Sequence, residues 1–183
     1  MVPPRPYFYG SNRTRTLLGQ LAEWRGTRWQ HAGVRPNEMK CGVSGDCLFW
    51  VHVFKAIGAL PKNLEIPDYR VQEALADKMQ TLRSRIEATG RALLVWERSL
   101  GYMRPSSSKD PYDSLALPWL VVGDVLLFKN GTSGAHCGLV VKEVPVHFAH
   151  LTGNGLLEEP LHQGHYSVAL TYIYRLLEAE VNS

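Results

Sequence analysis

The sequence predicts a single α+β domain, with helices in the N-terminal half and antiparallel strands in the C-terminal half. Three observations lead to this fold class. The length of 183 residues fits one domain of about 100–200 residues. Apolar residues recur at helical spacing before residue 90, whereas runs of β-branched and aromatic residues dominate after Pro118. Helices followed by a meander of strands are typical of an α+β domain.

Three helices are predicted in the first half of the chain. A helix from about Arg13 to Trp24 is predicted from the helical spacing of Leu17, Leu18, Leu21 and Trp24. Residues 47–57 are apolar on almost every face and precede a glycine, which predicts a buried helix with a glycine stop. The clearest amphipathic pattern runs from Asp68 to Gly90.

Strands are predicted from the β-branched and aromatic runs of the second half. These runs are residues 121–128, 137–144, 146–151 and 166–174. Residues 91–101 fit either a helix or a strand, and residues 103–118, with their prolines and serines, predict a loop.

Composition and charge exclude several classes of protein. Hydrophobic residues make up 45% and charged residues 20%, as in ordinary globular proteins rather than disordered ones. The net charge is 20 − 17 = +3 without a basic run, so no nucleic-acid partner is indicated. No segment reaches the roughly 20 apolar residues of a membrane span. Prolines and Gly10 interrupt the N-terminal apolar residues, so we expect no signal peptide.

Cys47 is the candidate nucleophile among three cysteines. Asp46 is a good N-cap residue directly before the apolar helix, so Cys47 would lie in its first turn. There the helix dipole and the backbone N–H groups favour the thiolate, which is the reactive form of cysteine. The alternative is a small residue of the hydrophobic core.

Two histidines of the strand region are candidate partners of this thiol. His136 opens an alternating strand after a glycine-rich turn, where it could take the thiol proton and deliver it to a leaving amine. His150 follows 14 residues later, a separation that lets a hairpin bring the two rings together. It could then fix the tautomer of His136. Alternatively, each is a hydrogen-bonded strand residue without a catalytic role.

Taken in order, several motifs resemble the NlpC/P60 cysteine peptidases, in particular the compact members found in tailed phages and gene transfer agents. The matching segments are Trp24-Arg-Gly-Thr27, Gly45-Asp46-Cys47, Gly123-Asp-Val-Leu-Leu-Phe128, Ala135-His136-Cys-Gly138 and the strand with His150. They cover roughly residues 15–175.

The resemblance implies a papain-like fold over residues 1–183, in which a central nucleophile helix packs on the antiparallel sheet. It implies a helical and loop insertion at about 60–118. Cys47 would be the nucleophile, His136 the general base and His150 the orienting residue. The reaction would be hydrolysis of an amide in peptidoglycan stem peptides, commonly after D-glutamate, through a thioester and without metal or cofactor. A cell-wall enzyme without a signal peptide would be delivered by a phage-like particle, by lysis or by a secretion system. A phage-tail or secretion-system protein would then be its partner.

The sequence departs from the family pattern beside the nucleophile. Trp29 occupies a position that is often tyrosine, and Leu48 and Phe49 follow Cys47 where Ser-Gly is common. Tryptophan has no hydroxyl, so Trp29 would not supply the oxyanion hydrogen bond that a tyrosine could give there. The predicted substrate-binding positions are Trp29, Ser44, Asp46 and Gly134.

Three other functions stay open on the sequence. The cysteines and histidines could bind zinc, although Cys41 and Cys47 lack the close spacing of a zinc knuckle. Cys47 could serve an amidase or acyltransferase acting outside the cell wall. The chain could also be a phage-tail docking module of weak activity.

Several other residues have structural interpretations. Cys137 should face the core, because adjacent strand residues point to opposite faces. Asp124 is expected at a turn or strand start. The tryptophans Trp24, Trp50, Trp96 and Trp119 are expected in the core or in the wall of a cleft.

Overall fold

The computed structural model describes residues 6–8, 10–29, 43–44, 49–64, 78–98, 119–130, 134–162 and 166–178. Within these ranges the three longer helices come before residue 90 and the strands of the large sheet come after it. The helices are α1 (Ser11–Glu23), α2 (Phe49–Ala56), α3 (Lys78–Glu87) and α4 (Tyr166–Ala169). The strands are β1 (Arg28–Trp29), β2 (Val43–Ser44), β3 (Ala92–Glu97), β4 (Val125–Asn130), β5 (Gly134–Glu143), β6 (Val146–Thr152), β7 (Gly155–Pro160) and β8 (Leu170–Leu176).

Six strands form one antiparallel sheet in the order β3-β8-β4-β5-β6-β7. Strands β4 to β7 are a meander of hairpins, and β8 inserts between β3 and β4. Strands β1 and β2 pair in parallel as a separate small ladder. The helices and this sheet establish the α+β class.

The sheet has two apolar faces because side chains alternate along each strand. One face carries Val125, Leu127 and Leu139, which join buried residues of α1, α2 and α3 in one core cluster. We call it the helix face. The other carries Phe128 and Phe148 in a second cluster, with ring centroids 5.0 Å apart. We call it the aromatic face.

Helices α1 and α2 pack on the helix face as their apolar patterns predict. Leu17, Leu21 and Trp24 are buried, whereas Leu18 is exposed. The Trp24 ring lies 5.9 Å from that of Phe49. Burial of an aromatic or aliphatic side chain contributes about 1.5–3 kcal/mol, so these contacts hold α1 on α2. Gly58 has a φ of 74° just after α2, which confirms the glycine stop.

Residues 78–98 contribute to the core and the sheet. The helix predicted from Asp68 to Gly90 is described over α3, and its earlier residues lie outside the described ranges. The undecided residues 91–101 include β3, which is antiparallel to β8. The segment predicted as a helical and loop insertion at about 60–118 therefore also supplies an edge strand. Its predicted loop at 103–118 lies outside the described residues.

The strand predictions need three corrections. Residues 121–124 form a turn, and β4 begins at Val125. Residues 166–169, predicted as strand, form the short helix α4. Strand β7 is not predicted, because four of the six residues in Gly-Leu-Leu-Glu-Glu-Pro are glycine, glutamate or proline, which are depleted in strands.

Asp124 ends the turn before β4, which confirms the expectation for it. Its buried carboxylate accepts the Val121 N–H at 3.0 Å and two hydrogen bonds from Arg175 at 2.7 and 2.8 Å. Arg175 also donates to the carbonyl of Trp119. This ion pair ties the turn to β8.

The tryptophans do not behave alike. Trp24 and Trp50 are buried and Trp96 is half-buried against the aromatic-face cluster. Trp119 is 73% exposed, so it is not a core residue. The Trp119 carbonyl, rather than its indole, provides the hydrogen bond to Arg175.

None of the helices in the described ranges has the length and apolar character of a bilayer-spanning segment.

Candidate functional site

His136 is the third residue of β5 and lies on the aromatic face. It is opposite Phe128 in the register of β4 and β5. Its half-buried ring lies 6.3 Å from the Phe128 ring and 6.2 Å from the Tyr166 ring, measured between centroids. Cys137, the next residue, is buried in the helix-face cluster, which confirms that it points away from His136.

His150 lies on β6 beside His136. Nε2 of His136 is 2.7 Å from Nδ1 of His150, and the two rings meet edge to face at 82°. The His150 ring is only 1% exposed. The antiparallel pairing of β5 and β6 thus brings the two histidines together, as their 14-residue separation predicts.

Glu159 on β7 extends this contact to a third strand. Its Oε2 atom lies 3.1 Å from Nε2 of His150. The sequence pattern does not indicate Glu159, because it does not predict β7. The available signal was the pair Glu158-Glu159, since any strand there would place one of the two carboxylates on the face of His150.

The Glu159 carboxylate determines which ring nitrogens of His136 and His150 carry hydrogens. Ionised Glu159 can only accept, so Nε2 of His150 carries the hydrogen that it donates. Nδ1 of a neutral His150 is then an acceptor, and Nε2–H of His136 donates to it. Nδ1 of His136 is consequently the nitrogen that can take up a proton.

Aromatic rings surround the two histidines. The ring of Tyr166, at the start of α4, lies 5.0 Å from His150 and 5.1 Å from Phe148 between centroids. Burial and, secondarily, the nearby charge of Glu159 raise the pKa of Tyr166. Such an apolar lining lowers the local dielectric constant, which strengthens the hydrogen bonds among His136, His150 and Glu159.

The structure describes only some of the other predicted site residues. Cys47 and Asp46, like Cys41, lie outside the described residues. The backbones of Trp29 and Ser44 are paired between β1 and β2. Gly134 begins β5, opposite Asn130, two residues before His136.

Described residues before and after Cys47 are linked to the sheet end that holds the histidines. At that end β4 finishes, β5 begins and β6 turns into β7. Strand β1, the partner of β2, lies against β6 and β7. The carbonyl oxygen of Thr27 is 3.7 Å from the position of a Cβ at Gly155. On the other side of Cys47, Phe49 packs against Trp24, whose carbonyl accepts the Thr27 N–H.

Helix α2 and the histidine pair nevertheless belong to different faces of the sheet. All buried side chains of α2 join the helix-face cluster, whereas both histidine rings contact the aromatic face. The sheet therefore lies between α2 and the two histidine rings, and Cys47, which precedes α2, lies outside the described residues.

The described residues hold no cluster of three or more histidine, cysteine or acidic side chains arranged for a metal ion. His136, His150 and Glu159 lie side by side on β5, β6 and β7. The ring nitrogens point at one another or at the carboxylate rather than at a common point. This arrangement suits proton transfer better than metal coordination.

Comparisons with known proteins add no family to this description. No protein-family model matches the sequence, and a search of curated proteins finds no match.

Proposed function

We propose that this chain is a cysteine peptidase of the NlpC/P60 type, with a papain-like fold, that hydrolyses amide bonds in peptidoglycan stem peptides. The observation that carries the proposal is the contact between His136 and His150 at the end of the β5–β6 hairpin. A histidine whose second nitrogen is fixed by another side chain is the general base that a cysteine nucleophile requires.

Each residue has a role in the proposed reaction. His136 takes the proton of Cys47 on Nδ1, and the thiolate attacks the amide carbonyl carbon. The tetrahedral intermediate collapses to a thioester while the imidazolium gives its proton to the leaving amine. Water, deprotonated by His136, then hydrolyses the thioester and regenerates the thiol. Backbone N–H groups at the start of the nucleophile helix stabilise the oxyanion.

The links between the sheet end and the residues around Cys47 support this proposal. Strand β2 ends at Ser44 and α2 begins at Phe49, so a short segment carries Cys47 between them. Asp46, Ser44, Trp29 and Gly134 are proposed to line the substrate site. The proposed substrate bond follows D-glutamate, and the proposed route to the wall is a phage-like particle, cell lysis or a secretion system.

The test is digestion of purified peptidoglycan, with mass spectrometry of the released fragments. Cys47→Ala and His136→Ala should abolish release while the circular dichroism spectrum stays that of the parent. Cys41→Ala and His147→Ala are the matched controls and should keep the parental rate. Full hydrolysis by Cys47→Ala would rule out the mechanism. Turnover of a peptide or amine acceptor without release of wall fragments would instead favour an amidase or acyltransferase.

A second candidate function is a phage-tail docking module that keeps the fold with little or no activity. It is favoured by the position of α2 and the histidine pair on different faces of the sheet. The same digestion separates the two candidate functions, because a parent protein that is only a docking module would release no stem-peptide fragments.

A further inference from the structure

We propose that Glu159 is a positioning residue, which acts through His150 to hold His136 in its proton-accepting tautomer and to keep the histidine pair basic. This inference rests on the proposed function for its catalytic consequence. Its structural part, the effect of Glu159 on the two rings, stands on the described geometry alone.

The strand register selects Glu159 and not its neighbour Glu158. Glu159 is opposite Phe148, so it lies on the aromatic face with His150. Glu158 is opposite Ala149, which belongs to the helix-face cluster, and it bonds to His147 at 2.9 Å. Two adjacent carboxylates therefore each contact one histidine, on opposite faces of the same sheet.

Glu159 fixes the direction of both hydrogen bonds. Without an acceptor at Nε2, His150 could place its hydrogen on Nδ1 and donate to Nε2 of His136. His136 would then carry its own hydrogen on Nδ1, where it could not accept a proton from the thiol. The Glu159 carboxylate lies 3.1 Å from Nε2 of His150 and can only accept a hydrogen bond. It therefore disfavours the second arrangement, in which this nitrogen carries no hydrogen.

The charge of Glu159 has a separate effect on the pair. A carboxylate close to an imidazole stabilises the imidazolium form. Since His150 is 1% exposed and Glu159 is 39% exposed, the carboxylate is hydrated while the imidazole it contacts is not. His136 from β5 and Tyr166 from α4 also contact His150. An imidazole and a phenol carry no negative charge at neutral pH, whereas a carboxylate does.

Glu159→Gln is the decisive variant and Glu158→Gln is its matched control. Both remove one negative charge from β7 at neighbouring, solvent-accessible positions, so neither should prevent folding. Glu159→Asp is a third variant, which retains the charge on a shorter side chain. Nitrogen-15 NMR of the histidine rings is recorded on the full chain as a function of pH. This measurement gives the tautomer and the pKa of each ring without any substrate.

Glu159→Gln is expected to lower the pKa of the histidine pair by about one unit, since one carboxylate within hydrogen-bond distance is lost. It should also populate the Nδ1–H tautomer of His136. Glu158→Gln should leave both properties of His136 and His150 at their parental values, and Glu159→Asp should restore most of the pKa. Parental tautomers and pKa values in Glu159→Gln, or equal changes in Glu158→Gln, would overturn the proposal.

The activity measurement adds the catalytic consequence. In peptidoglycan digestion, the alkaline limb of the pH profile of kcat/KM reports loss of the imidazolium proton, and Glu159→Gln should move it to lower pH by the same amount. Fragment release that persists in Cys47→Ala would reject the proposed function but leave the NMR result on Glu159 unaffected. An unchanged NMR titration with normal Cys47 dependence would reject the role of Glu159 alone.

Discussion

The ring of Phe148 lies directly over Gly138, with Cδ2 only 2.5 Å from the position of a Cβ at Gly138. A methyl group there would force the ring to move, and Phe148 is fully buried against Phe128 and His150. We therefore expect Gly138→Ala to lower the free energy of unfolding by about 1–3 kcal/mol. Urea denaturation measures this change.

Gly153→Ala is the control for this substitution. Gly153 lies in the exposed β6–β7 turn, where a Cβ would meet no atom within 4 Å. Its effect should stay within about 0.5 kcal/mol. Equal stability of Gly138→Ala and the parent would mean that Phe148 has another rotamer available, and the tight packing argument would fail.

The ion pair between Asp124 and Arg175 yields a second prediction. Asp124 is fully buried, whereas 18% of the Arg175 side chain is exposed. Burial raises the pKa of the Asp124 carboxyl, so its ionisation depends on the two hydrogen bonds from Arg175. Asp124→Ala leaves the Val121 N–H and the guanidinium without this carboxylate. We expect a loss of about 3 kcal/mol in thermal or urea unfolding.

The exposed ion pair between Arg13 and Glu178 is the matched comparison. Because both side chains are largely hydrated, Glu178→Gln should cost less than about 1 kcal/mol. A comparable loss for Glu178→Gln and Asp124→Ala would show that burial does not determine the strength of these pairs.

The histidine contact could be predicted from the sequence because it depends on local features. A hairpin joins His136 to His150, and strand alternation determines which face each occupies. The pairing of β3 with β8 could not be predicted, because it joins residues about 80 positions apart and residues 92–97 fit either a helix or a strand. Glu159 was missed for a related reason, since β7 is stabilised by its pairing with β6 rather than by its own residues.

The sequence predicts where the helices begin and end more closely than it predicts which face of the sheet they pack on. The apolar spacing gave α1 to within two residues, since predicted Arg13–Trp24 is observed as Ser11–Glu23. Spacing does not reveal which face of the sheet a helix covers. The packed clusters put α2 on the helix face, opposite the face that holds the histidine rings.

Tyr174 predicts how stability depends on alkaline pH. Its buried hydroxyl accepts a hydrogen bond from Nε of Arg83 and donates to Glu87, and burial is the main cause that raises its pKa to about 12 from the ordinary 10.0. A raised folded-state pKa means that the folded protein holds the proton more tightly. The associated stability is present below pH 10 and is lost between about pH 10 and 12, by up to about 3 kcal/mol.

Tyr174→Phe checks this pH dependence because phenylalanine cannot ionise. The difference in unfolding free energy between the parent and Tyr174→Phe should shrink as the pH rises from 10 to 12. Urea midpoints at fixed ionic strength give the difference at each pH. A constant difference across this range would mean that Tyr174 titrates alike in the folded and unfolded states.

The three cysteines should react with iodoacetamide at different rates near neutral pH. Cys137 is 1% exposed in the helix-face cluster, so it should be alkylated only on unfolding. If His136 accepts the proton of Cys47, the thiolate fraction of Cys47 rises, and we expect alkylation about 10-fold faster than at Cys41. His136→Ala should remove this advantage, whereas His147→Ala, on the helix face, should not. Peptide mass spectrometry resolves the three sites. Equal rates at Cys47 and Cys41, or a Cys47 rate that survives His136→Ala, would break the link between this thiol and the histidine pair even if wall fragments are released.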